Sequence, residues 1–129
     1  LGISQVEVLG RLSSVPVFTS DHRLEPTVAV VTDAQLEPDP AEVAAVYEVS
    51  LQSILRGPYI HAVPWQWGER QWLSPVFDVE GRWLFGATAH SFLELLHVIA
   101  PLLGSRVPCL QTGGLRWTDL LASSSGDAG

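Results

Sequence analysis

Only one stretch of this chain repeats its apolar residues at the helical period through several turns. Ala89, Phe92, Leu93, Leu96, Ile99 and Leu103 recur at intervals of three and four, which predicts a helix from about Thr88 to Leu103. Pro101 lies near its end, and Gly104 follows as a natural C-terminal cap. A helix with one apolar stripe has to bury it against another layer, and the rest of the chain offers mainly short alternating segments that read as strands. One long helix lying on a sheet is therefore the arrangement this pattern demands.

The strands are read from period-two alternation and from the turn residues between them. Gln5 to Leu12 sets Val6 and Val8 against polar partners, and Ser13-Ser14 ends it. Thr27-Val28-Ala29-Val30-Val31 is a short apolar run introduced by Pro26, which predicts a buried strand. Pro38 and Pro40 around Asp39 forbid regular pairing and mark a loop, after which Val43 to Val49 resumes a strand-like pattern. Leu51, Ile54 and Leu55 make about one turn of helix, stopped by Gly57-Pro58. Tyr59–Val63, Gln71–Phe77 and Arg82–Phe85 then form a meander with turns at Trp67-Gly68-Glu69 and Val79-Glu80-Gly81-Arg82. Beyond Gly104 the only further sign of order is a possible turn at Leu115 to Leu121, and the residues from Ser123 to Gly129 read as a frayed tail. The fold class expected is α+β, or a mixed α/β sheet, covered on at least one face by the long helix.

At 129 residues the chain is sized for one domain. Its 47% hydrophobic and 16% charged residues are enough to bury a core, which excludes a disordered segment. The net charge of −7, carried by 14 acids against seven Arg and no Lys, would repel a nucleic-acid backbone or an anionic membrane surface. Neither nucleic acid nor membrane is expected as a partner. No uninterrupted apolar run approaches the roughly 18 residues of a spanning helix. Cys109 stands alone, so no internal disulfide can form, in keeping with a reducing compartment. The chain contains no Met and opens on Leu1-Gly2-Ile3, so either a leader has been removed or it is a piece of something longer.

Three stretches together resemble the C-terminal portion of a Nudix hydrolase, and within that superfamily the coenzyme A diphosphatase branch. Leu1-Gly2-Ile3 fits the last x-G-U of the box G-x5-E-x7-R-E-U-x-E-E-x-G-U, where U is apolar, and Val6-Glu7-Val8-Leu9-Gly10-Arg11-Leu12 follows it. Leu24 to Val30 is similar to the strand after the box, and it runs into Glu37-Pro38-Asp39-Pro40-Ala41-Glu42-Val43 through Val49-Ser50-Leu51, the most specific part of the match. Leu84-Phe85-Gly86-Ala87-Thr88-Ala89 resembles the aromatic-Gly-x-Thr-Ala step that starts the last helix of these enzymes. Ser50 stands where a Pro is usual and Phe85 where Trp is usual. The box itself, with the Arg and the Glu cluster that hold the metal, is not in this chain.

The resemblance implies a Nudix-like mixed sheet sandwiched by helices, incomplete at its N-terminus, with residues 1–104 as its C-terminal portion and residues 105–129 as an extension. It implies part of a pyrophosphohydrolase that cleaves the diphosphate of coenzyme A or a related nucleoside diphosphate derivative. It also implies Mg2+ or Mn2+ as cofactor, with ligands mostly outside this chain. The isolated chain is then expected to be inactive, and a catalytically empty Nudix-like binding or interaction module is the competing reading. A cytoplasmic location is implied, or a mitochondrial or peroxisomal matrix in a eukaryote, and a homodimer is left open. A Nudix sheet is covered on one face by the box helix and on the other by the last helix. Without the box, Val28 to Val31 should expose an apolar patch.

Breaking a diphosphate needs its non-bridging oxygens neutralised and a water activated, which hard divalent cations held by clustered carboxylates accomplish. Within this chain the resemblance singles out Glu42 as the catalytic carboxylate; by its position alone it is a solvated acid at a loop end. Glu48 is expected to face solvent. His90, Glu94 and His97 share one helix face at a spacing that suits a metal, yet their apolar neighbours put them on the polar side as solvent-facing residues. Trp65, Trp67, Trp72 and Trp83 offer a stacking surface for adenine or pantetheine, or else pack across a hairpin, and the second is the expectation. His22 beside Asp21 reads as a surface pair.

Overall fold

The structure, a computed structural model, describes residues 7–17, 21–31, 41 and 48–123. Both helices and strands are present, so the α+β class holds. Four short strands come first: β1 (Glu7–Arg11), β2 (Val15–Pro16), β3 (Arg23–Leu24) and β4 (Thr27–Val30). They pair antiparallel as two ribbons, β1 with β4 and β2 with β3. The strand expected at Val43 to Val49 lies largely outside the described residues, and Glu48 to Ser50 has no regular structure.

Helix α1 (Leu51–Arg56) begins where Ser50, in extended conformation, accepts a 3.2 Å hydrogen bond on its Oγ from the Ser53 backbone N–H. That is an N-cap, a task for which Ser is well suited and Pro is not.

The three strands of the meander appear, as β5 (Ile60–Trp67), β6 (Arg70–Val79) and β7 (Arg82–Leu84) joined by two-residue turns, and β5 runs past the expected end at Val63 to take in Trp67, expected in the turn. Gly68 occupies the first turn at φ 62°. The second turn needs positive φ at both central residues, supplied by Glu80 at 51° and Gly81 at 83°, and the Asp78 carboxylate accepts from the Gly81 N–H at 3.0 Å. Pro64 and Pro75 stand in paired strands without breaking a ladder. Strand β5 has its second neighbour only at Ile60 and His61, and β6 only from Phe77 to Val79, so each proline lies where its strand has a free side.

Helix α2 (Gly86–Ile99) continues as a 3-10 turn from Ala100 to Leu103, ended by Gly104 in the left-handed region at φ 66°. Together these 18 residues are long and apolar enough to cross a membrane. Ala89, Leu96 and Ala100 are buried with Ile60, Phe77 and Val79 of the sheet, while only 22% of the 18-residue segment is buried and Val98, Leu102 and Leu103 are exposed. Phe92 packs edge-on against Phe77 at 4.9 Å.

The chain after Gly104 folds onto the sheet, where the sequence suggests little order before the tail. Strand β8 (Leu110–Gln111) joins parallel to β5, giving the order β7-β6-β5-β8, and α3 (Trp117–Ser123) lies against the face opposite α2. Leu120 is 0% exposed among Val63 and Val76, with Trp83, Phe85, Leu115 and Trp117 around it. The Trp117 indole N–H donates to the Pro64 carbonyl at 3.1 Å, on the side of β5 that no strand covers. The long helix covers one face of this sheet, and a short helix of the same chain covers the other.

Strand β4 forms where expected, but it is not buried. Val28 is half-buried, Ala29 and Val30 are exposed, and in the partner strand Val8 is 65% and Leu9 60% exposed. The apolar run demands cover, and a two-stranded ribbon has no second layer of its own to supply it.

Candidate functional site

Along β5 and β6, residues directly opposite share a face. On the α3 side these are His61 with Val76, Val63 with Ser74 and Trp65 with Trp72, and Arg70 follows Trp72 on the same face of β6. Val63, Ser74 and Val76 are buried beneath α3, and Trp65 and Trp72 lie farther toward the turn. The indoles of Trp65 and Trp72 stack at 5.3 Å with 29° between their planes. Hairpin packing across the strands is therefore part of what this cluster does, as expected. Trp72 still leaves 39% of its surface exposed, and Arg70 beside it is exposed without an ion pair among the described residues.

At the other end of the same face His61 sits between two rings, edge-on to Tyr59 at 5.1 Å and to Trp83 at 6.3 Å. Gly114 passes so close that a Cβ there would lie 3.3 Å from the imidazole, and the ring would have to give by a few tenths of an ångström to admit one. Neither His61 nor Arg70 stands out in the sequence, although both share the alternation that places the tryptophans. The signal is their even spacing from Trp65 and Trp72, which puts all four on one face.

His90, Glu94 and His97 do not form the solvent-facing group expected of them. His90 and Glu94 are half-buried, and only His97 is exposed. Both carboxylate oxygens of Glu94 accept from the Ser13 backbone N–H, at 3.0 and 3.2 Å, and one also accepts from the Ser13 hydroxyl at 2.9 Å. The β1–β2 connection thus lies on the side of α2 away from the sheet. Ser91, about 200° around the helix from Ala89 at 3.6 residues per turn, is only 6% exposed, and its hydroxyl has no hydrogen-bond partner among the described residues. Burial in this layer holds the His90 imidazole below its ordinary pKa of 6.5.

Glu42 lies outside the described residues, so its position relative to the sheet is not part of this geometry. Glu48 is exposed, as expected. Among the described residues no three His, Cys, Asp or Glu side chains come together in a way that could hold a metal ion. Glu94 is already engaged by Ser13, so the helix trio does not fit a divalent cation. Cys109 is exposed, and its carbonyl accepts from the Ile60 N–H at 2.9 Å where β8 meets β5.

No family model matches this chain, and neither a curated protein nor a solved structure matches it.

Proposed function

We propose that this chain is the C-terminal portion of a Nudix-type pyrophosphohydrolase that cleaves the diphosphate of coenzyme A or a related nucleoside diphosphate derivative. The observation that carries this reading is the start of α2. The stretch Leu84-Phe85-Gly86-Ala87-Thr88-Ala89, similar to the family's helix-opening step, lies where a strand turns into the long helix, with Gly86 at φ 75°. A side chain is disfavoured in that backbone conformation, which gives the motif's glycine a physical reason. The uncovered ribbon of β1 and β4 also supports the reading, because Val8 and Leu9 of β1 and Val30 of β4 are exposed, and further elements packed on the ribbon would cover them.

The acids that would neutralise a diphosphate do not converge among the described residues, so the metal set of magnesium or manganese belongs elsewhere in the proposed enzyme. From this chain Glu42 is the carboxylate the reading assigns to the reaction. The test is to read the coding sequence upstream of Leu1 for Arg-Glu-x-x-Glu-Glu, and to assay the chain extended through it on coenzyme A. Cleavage into two phosphate monoesters that depends on the divalent metal, and falls in Glu42→Gln, is the expected result. Absence of the upstream motif, or no cleavage by the extended chain, overturns the reading. The same lack of converging acids favours the second reading, a catalytically empty Nudix-like module that binds a nucleotide or protein.

A further inference from the structure

We infer that Trp72 and Arg70 form a binding site for a nucleoside phosphate, with the base stacked on the indole and the phosphate held by the guanidinium. Trp65 stacks on the Trp72 ring, and Trp72 keeps 39% of its surface exposed to solvent. The core beneath α3 consists of Val63, Val76, Leu120 and their neighbours, so the tryptophan pair stands outside it. A planar heteroaromatic ring can extend a stack of this kind, since base–aromatic stacking tolerates any base.

Arg70 narrows the ligand class. It lies two residues before Trp72 on the same strand and face, which separates their Cα atoms by about 7 Å at roughly 3.4 Å per residue. That spacing is comparable with the span from a nucleobase to its 5′-phosphate. In a chain of net charge −7 this exposed cation has no ion-pair partner among the described residues, Glu69 beside it included. Guanidinium donors match phosphate oxygens in pairs. An aromatic ring carrying a phosphate ester uses both groups at once, whereas a neutral sugar or an uncharged ring leaves Arg70 idle.

The choice of a nucleoside diphosphate as probe rests on the reading proposed above, but the measurement does not involve hydrolysis. Adenosine diphosphate is titrated into the full chain without divalent metal, with bound nucleotide counted by equilibrium dialysis and tryptophan fluorescence followed in parallel. Saturable binding with quenching is expected, about tenfold weaker in Trp72→Leu by the usual contribution of one stacked base. Arg70→Gln, an exposed change that leaves the stack intact, should weaken the diphosphate while leaving the weaker binding of adenosine unchanged. Ribose 5-phosphate should not bind. Two results overturn the inference: no saturable binding, or equal binding by wild type and Arg70→Gln with the stack intact by circular dichroism. Failure of the hydrolysis assay with binding retained removes the enzyme reading and leaves this site standing.

Discussion

The Glu94 carboxylate on α2 grips Ser13, 81 residues away in sequence, through both the backbone N–H and the hydroxyl of that serine. The contact ties the connection between β1 and β2 to the outer side of the long helix. Hydrogen bonds to an ionised group are stronger than neutral ones, although exposure to water discounts this one. Glu94→Ala should lower stability by about 1 kcal/mol, and Ser13→Ala by less, since the backbone donor survives. Amide hydrogen exchange should speed up around Ser13 in Glu94→Ala while β5 and β6 keep their protection. Unchanged exchange at Ser13 would show that the contact does not hold the layer.

Leu120 carries the second face of the sheet. It is fully buried in a small cluster, and removal of a leucine side chain at such a site costs about 2–5 kcal/mol. Leu120→Ala should therefore shift the urea midpoint strongly, whereas its exposed neighbour in Leu121→Ala should barely move it. Equal midpoints for the two variants would mean that α3 does not dock through Leu120.

His90 gives the fold a pH dependence whose sign follows from its burial. Desolvation lowers the pKa of the folded state, so the unfolded chain binds the proton more readily. The stabilising contribution is complete above the unfolded value of 6.5 and is lost as pH falls from there through the lower folded value. In His90→Gln the stability should fall less between neutral pH and the mildly acidic range than in the wild type. Parallel wild-type and mutant curves over that range, from denaturant titrations at several pH values, would rule this out.

The 129 residues by themselves should not turn over coenzyme A with either magnesium or manganese. No set of acids among the described residues converges on a metal, and a single loop carboxylate cannot hold a divalent ion against its hydration. Metal-dependent release of phosphate monoesters by this chain alone would contradict the expectation. It would require a ligand set built around Glu42.

Much of the architecture is legible in the residues because the forces that write it are local. Alternation marks β5 and β6, the glycines at 68 and 81 sit where the turns need positive φ, and Gly104 ends the long helix where its stripe stops. Each of these features depends on residues within a few positions of one another. The stacked pair of Trp65 and Trp72 is not legible in the same way: by sequence that strand ends at Val63 and Trp67 falls in the turn, whereas the fold carries β5 to Trp67 and a two-residue turn at Gly68-Glu69 sets the two indoles opposite each other.

Other features depend on single anchors brought together from far apart, and these leave no period to read. Strand β8 pairs through two residues, and α3 is seated by Leu120 and by one hydrogen bond from Trp117 to Pro64. Ser13 and Glu94 look like ordinary surface residues until the fold places one against the other. Val28 to Val31 show the same division from the opposite side. Their apolar character establishes that burial would be favourable, but the hydrophobic effect is non-directional and names no partner. Whether such a strand is covered depends on which elements pack nearby, and in this fold α2 and α3 enclose β5 and β6 while the ribbon of β1 and β4 stays open to solvent.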